Sequence, residues 1–133
     1  MAVQWSDALR NALLDVWEST IGTSAKIRIY SGAAPANESA ALSGNTLLAE
    51  WSLASDWAAA AAGGVKSLSG VPLEVTAAAA GTAAFYRIYN SGGSTCHEQG
   101  TVGTSGTDMT IDNTSIASGQ TVRLTAFSKT APG

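Results

Sequence analysis

The feature that most constrains this chain is a series of short segments, between residues 25 and 131, in which apolar and polar side chains alternate. A period of two residues is typical of β-strands with one buried face. Turn residues separate the segments, most clearly in the run from Asn90 to Gly93. This pattern predicts a mainly β fold, an antiparallel β-sandwich or jelly roll. The predicted strands lie within 25–32, 45–53, 67–78, 81–93, 95–103, 108–116 and 120–131.

The N-terminal segment has a different period. Residues 6–20 place apolar side chains at i, i+3 and i+4, which predicts one amphipathic helix. Ser6 is a suitable N-cap, and Gly22 a suitable stop. We expect the apolar face to cover the core of its own domain; the alternative is that this helix, or Trp5 just before it, docks on a partner. The apolar members are Ala8, Leu9, Ala12, Leu13, Val16 and Trp17.

Two alanine-rich stretches, 57–67 and 75–85, interrupt the alternating pattern. Alanine is the strongest helix former, but runs this short do not form a stable helix alone. We therefore expect 57–67 to be a loop or a single helical turn. We expect 75–85 to be a strand whose small side chains allow close packing.

The length and charge of the chain limit what it can bind. A chain of 133 residues is expected to form a single domain, residues 1–133. Only 13% of the residues are charged, against about a quarter in typical domains. The net charge is −3 and lacks clustered Lys and Arg, which argues against nucleic acid as a partner. We find neither a membrane-spanning apolar run nor a secretory signal, so we expect assembly in a cytoplasm.

The stretch "STCHEQG" (94–100) places a thiol, an imidazole and a carboxylate in a row, as Cys96, His97 and Glu98. Neighbouring residues of a strand point to opposite faces, so Cys96 and Glu98 are expected on one face and His97 on the other. The chain has one His and one Cys, too few for a zinc site or a Cys–His catalytic pair assembled from elsewhere. The sequence therefore predicts no catalytic residues, no metal site and no cofactor.

Aromatic residues are the best candidates for a contact surface. Trp5 and Trp57 stand beside Ser and Asp in segments expected near the surface, where indoles commonly anchor interfaces. Trp17 lies on the apolar side of the predicted helix. These three are our interface candidates, and for Trp5 and Trp57 the alternative is a position in the core. Aromatic side chains on a sandwich face can also bind sugars, although the usual cluster of polar partners is missing here.

Four segments together resemble one family: "WSDALRNALLDVWESTIGTSAKIRIYSGAAPAN", "LLAEWSLASDW", "FYRIYNSGGSTCHEQGTV" and "DMTIDNTSIASGQTV". They are similar to small proteins encoded in the head gene clusters of tailed bacteriophages and prophages, the head decoration proteins (also called cement or minor capsid proteins). The resemblance spans nearly the whole chain and includes no catalytic motif. It implies a jelly-roll or β-sandwich domain that acts as a dimer or trimer.

The function that the resemblance implies is structural. Such a protein would bind the outside of a capsid built from an HK97-like major capsid protein and would clamp neighbouring capsid subunits together. We therefore expect a non-enzymatic virion component on the outer capsid surface, assembled in the bacterial host cytoplasm. The alternatives are a tail-tube or head–tail connector subunit and, from another class, a carbohydrate-binding module; an enzyme is the weakest of the possibilities.

Overall fold

The computed structural model of the protein describes residues 3–131. Within this range, helix α1 spans Asp7–Ile21, as the periodicity predicts. The Ser6 hydroxyl accepts a hydrogen bond from the Leu9 amide at 3.2 Å, and Gly22 ends the helix with a φ of 98°. The strands that follow are β1 (Lys26–Ser31), β2 (Leu47–Ser52), β3 (Val65–Ser67), β4 (Leu73–Thr76), β5 (Gly81–Tyr89), β6 (Cys96–Gly103), β7 (Met109–Ile111), β8 (Ser115–Ile116) and β9 (Thr121–Thr130).

The strands form a curled, mixed sheet shaped like a half-barrel, in the order β2-β1-β5-β6-β7-β9-β3. β4 also pairs with β9, and β8 with β5. The named pairs are antiparallel except β6 and β7, which run parallel over Val102–Met109 and Gly103–Thr110. The connection between these two strands holds no crossover helix, and their pairing is correspondingly short. The structure confirms a mainly β, sandwich-like fold with one N-terminal helix.

The core is built from the inner face of this sheet. Ile27 in β1 lies opposite Ile88 in β5, and both are fully buried. Lys26 and Arg28, on the other face of β1, remain partly exposed, which is the alternation that the sequence predicts. Burial of each large aliphatic side chain stabilises the fold by roughly 1.5–3 kcal/mol. Further core residues are Ile29, Leu48, Met109, Ile111, Val122 and Leu124.

The alanine-rich stretches differ in how well they follow the prediction. The first is a loop over residues 57–64, as expected, but the prediction is wrong for residues 65–67, which form the short strand β3. The prediction of a continuous strand over 75–85 is wrong, because β4 and β5 are separate strands. Between them, the amide of Ala77 donates to the carbonyl of Gln120, whereas the amide of Ala78 donates to that of Leu48. The chain therefore leaves β9 and crosses to β2 at this point.

Candidate interaction surface

Helix α1 is attached to the sheet by polar side chains. Lys66 in β3 is 2% exposed, and its ammonium lies 2.9 Å from Asp15 Oδ1 and 2.8 Å from Glu18 Oε1. Burial opposes the charge on Lys66, but its hydrogen bonds to Glu18 and Asp15 outweigh burial and raise the pKa of Lys66 above its ordinary value. The hydrogen bond from Lys66 likewise lowers the pKa of Asp15. A buried ammonium thus ties the helix to the strand.

Polar side chains on this side of the helix also accept hydrogen bonds from backbone amides of the loop after Trp57. Glu18 accepts a hydrogen bond from the amide of Ala58 at 3.3 Å, and Asn11 accepts one from the amide of Gly64 at 2.9 Å. A buried amide left without a partner costs about 1–3 kcal/mol. The helix is therefore positioned by side chains that its amphipathic pattern assigns to solvent.

The apolar face of α1 points away from the sheet. Leu9 is 46% exposed, Leu13 42% and Val16 58%. The buried residues of the helix are Leu14 and Ile21. Of the predicted apolar face, Trp17 packs against the core, so the expectation that this face covers the core is wrong for Leu9, Leu13 and Val16. The spacing i, i+3, i+4, i+7 aligns the exposed members in one row along the helix. This row, here called the outer ridge, consists of Leu9, Ala12, Leu13 and Val16.

The residues just before the helix extend the exposed apolar surface. Val3 is 80% exposed and Trp5 is 38% exposed. We call residues 3–6 the N-terminal arm. Eight large apolar side chains are exposed within residues 3–131, and five of them belong to the arm or the outer ridge. Most of the exposed large apolar side chains therefore belong to one segment of the chain, residues 3–16.

The three predicted interface candidates occupy different environments. Trp5 is exposed, as an interface residue must be. Trp57 is 2% exposed and lies in the core, where its Nε1 donates to the Gly22 carbonyl at 2.8 Å. Trp17 is half-buried, with its ring centroid 5.1 Å from that of Trp57 in an edge-on arrangement. The residues Ser55 and Asp56, which suggested a surface position for Trp57, are exposed while the indole turns inward.

Glu98, from the "STCHEQG" stretch, joins the helix to the sheet. Its carboxylate accepts a hydrogen bond from Trp17 Nε1 at 2.9 Å and another from the Tyr86 hydroxyl, and it pairs with the Lys129 ammonium at 3.0 Å. Burial, and then the charge of Glu98, raise the pKa of Tyr86 well above its ordinary value. The phenol is therefore a permanent donor. We call Trp17, Tyr86, Glu98 and Lys129 the Glu98 cluster.

The prediction that Cys96 and Glu98 share a face is wrong. Ile88 pairs with Glu98, but the next residue, Tyr89, pairs with Cys96, so His97 is an extra residue in a β-bulge. Because Ile88 and Tyr89 point to opposite faces, their partners do so too. Burial raises the pKa of the Cys96 thiol, and His97 is exposed to solvent. Neither arrangement activates the thiol as a nucleophile.

Two arginines lie opposite each other on the outer face of the sheet. Arg28 in β1 pairs with Arg87 in β5, and like charges placed this way are destabilising. Arg28 forms an ion pair with Glu50. Arg87, which is 4% exposed, donates to Gln99 Oε1 at 2.8 Å and to two backbone carbonyls of the loop 33–46. These contacts hold the loop against the sheet and occupy the guanidinium.

Other kinds of site find little support in the described part of the chain. Within residues 3–131, no group of three or more His, Cys, Asp or Glu side chains could hold a metal ion. No helix in that range has the length and apolar character needed to cross a membrane. A groove of about 540 Å³ contains Trp51 and Trp57, but these indoles are only 4% and 2% exposed. It offers no aromatic face on which a sugar could stack.

Comparison with models of known protein families, with curated proteins and with solved structures finds no match to this chain.

Proposed function

We propose that the protein is a structural virion component, a decoration or cement protein that binds the outer surface of an HK97-like phage head and stabilises it. The observation that carries this proposal is the concentration of exposed apolar side chains in the N-terminal arm and the outer ridge. A cluster of this kind is typical of protein–protein contact surfaces. The resemblance of the sequence to head decoration proteins supplies the partner, the major capsid protein.

The placement of the basic side chains supports a protein partner over nucleic acid. The chain has seven Lys and Arg residues. Arg87 is buried, and each of the other six lies within 4.0 Å of a carboxylate oxygen. Binding to a phosphate backbone requires clustered basic groups that can displace counterions. Here those groups are used within the protein; the six that form ion pairs are Arg10, Lys26, Arg28, Lys66, Arg123 and Lys129.

In the proposed mechanism, the arm contacts the capsid and the β fold acts as a rigid body behind it. Val3 and Trp5 provide apolar surface that a shallow depression between capsid subunits can cover. The Glu98 cluster and Lys66 hold α1 firmly, so force on the arm is transmitted to the sheet. Each contact can be weak, because an oligomer that engages several capsid subunits gains avidity.

The direct test uses heads assembled without this protein. We expect the purified protein to cosediment with these heads and to raise their melting temperature. For Trp5→Ser, we expect that at least a tenfold higher protein concentration is needed for the same cosedimentation and the same rise in the melting temperature of the heads. Val71→Ser removes a side chain of nearly equal exposure (39%) outside the arm and serves as the control, with no expected effect. Failure of the wild-type protein to bind heads would contradict the proposal.

A cryo-EM map of the loaded particle separates this function from a connector or tail role. Decoration predicts density at many equivalent positions over the head, whereas density confined to one vertex or to a tube would indicate the alternative. The double variant Cys96→Ser, His97→Gln should bind heads as the wild type does, because both side chains lie outside the arm. Loss of binding with an intact fold would reopen a chemical role for these residues.

A further inference from the structure

The outer ridge has no partner within the described chain, although it has the regular spacing of a helix-packing surface. Leu9, Leu13 and Val16 keep about half of their surface in solvent. We propose that the occupant of the outer ridge is the same ridge of a second copy, packed antiparallel about a two-fold axis between Ala12 and Leu13. This pairing concerns the protein alone and does not depend on its proposed role on a phage head.

The absence of charge from the outer ridge favours a second copy of the ridge over a membrane surface as its occupant. Arg10 pairs with Asp7, whereas Asp15 and Glu18 both pair with Lys66, so the four charged side chains of the helix form their contacts outside the outer ridge. The outer ridge itself contains only apolar residues. An anionic membrane surface requires basic residues beside the apolar face, and none flank this ridge. Two identical ridges can meet without bringing charge against like charge.

The order of side-chain sizes favours the antiparallel direction. Centred between Ala12 and Leu13, this arrangement places the small Ala12 of one copy against the large Leu13 of the other, and Leu9 against Val16. In a two-fold interface each such contact occurs twice. A parallel pair would instead align the two helix dipoles, whereas the antiparallel pair opposes them.

The area of the ridge sets the strength of the pairing. Four side chains cover much less than the ~800 Å² per partner of a standard stable interface. We therefore expect a weak dimer that is populated at high protein concentration. On a head surface, where copies lie close together, the same contact becomes effective through local concentration. Two arms that project from such a dimer could reach two capsid subunits, a consequence that does rest on the proposed function.

The experiment is a charge exchange followed by sedimentation, with no heads present. We expect the wild-type protein to shift from monomer to dimer between about 10 µM and 1 mM. Leu9→Glu alone and Val16→Lys alone should each weaken dimerisation at least tenfold. Mixing the two variants should restore a mixed dimer, because the new carboxylate at position 9 faces the new ammonium at position 16 of the other copy. Leu42→Glu, at an exposed apolar position outside the ridge, is the control and should dimerise like the wild type.

Three results would overturn the inference. A wild-type protein that stays monomeric throughout would show that the ridge does not pair with itself. Unchanged dimerisation of both single variants would place the interface elsewhere. Loss of dimerisation in the single variants without recovery in the mixture would exclude the antiparallel arrangement. Circular dichroism of each variant confirms that the fold is retained, which is expected because the substituted side chains are about half exposed.

Discussion

Leu13 and Leu14 are adjacent in helix α1 and point about 100° apart around its axis, Leu13 toward solvent and Leu14 toward the sheet, so they form a matched pair for testing the orientation of the helix. Leu13 is 42% exposed, whereas Leu14 is 7% exposed. Leu14→Ala removes a buried side chain and leaves a cavity, and such changes cost about 2–5 kcal/mol. Leu13→Ala loses only part of the ~1.5–3 kcal/mol for a fully buried leucine, and alanine's better helix propensity offsets some of that loss. We expect Leu13→Ala to lower the free energy of unfolding by about 1 kcal/mol or less.

The assay is urea denaturation followed by tryptophan fluorescence, at a protein concentration low enough to keep the monomer. With a slope of about 2 kcal/mol/M, Leu14→Ala should lower the midpoint by about 1–2.5 M, and Leu13→Ala by about 0.5 M or less. The slope should not change, because both variants unfold the same surface. Equal destabilisation by the two substitutions, or a larger effect of Leu13→Ala, would refute the orientation of the helix.

Three further outcomes follow from individual contacts. Glu98→Gln should cost about 2–3 kcal/mol in denaturant unfolding, since it weakens charge-assisted hydrogen bonds, whereas Glu74→Gln in an exposed pair should cost under about 1 kcal/mol. The pKa of Asp15 is lower in the folded protein than in the unfolded chain. The stability that Asp15 contributes is therefore complete above about pH 4 and is lost as the pH falls through the pKa of the folded state. In a plot of melting temperature against pH, Asp15→Asn should accordingly reduce the slope on the acid side. Gly64→Ala should lower the melting temperature more than Gly63→Ala: both have positive φ, but only at position 64 would a Cβ meet another group, 2.1 Å from Cζ of Arg10.

Strands could be predicted from this sequence because their signal is local. In β1, Ile27 and Ile29 alternate with Lys26 and Arg28, and a side chain's face in a strand depends only on the parity of its position. The helix boundaries were equally local, since Ser6 and Gly22 act on the backbone groups next to them. These features needed no knowledge of the rest of the fold.

Parity fails where a strand gains a residue, and that failure decides the geometry around Glu98. The bulge at His97 reverses the faces on either side of it, so Cys96 and Glu98 separate. No residue in "STCHEQG" signals a bulge, because the extra residue is defined by the pairing with β5. The Glu98 cluster was invisible for the same reason: its members come from α1, β5, β6 and β9, and only the tertiary structure brings them together.

The direction of the helix face is a contest between two sets of groups, and the magnitudes explain the outcome. Turning the apolar side inward would bury Leu9, Leu13 and Val16 more fully. Each of these side chains would then stabilise the fold by less than the roughly 1.5–3 kcal/mol of a completely buried side chain. The same rotation would also leave Lys66 buried without its carboxylates, at about 3–5 kcal/mol, and deprive loop amides of acceptors, at about 1–3 kcal/mol each. The polar side therefore faces the sheet in the isolated chain. The outer ridge therefore remains exposed to solvent, and only a partner can bury it without disturbing those polar contacts.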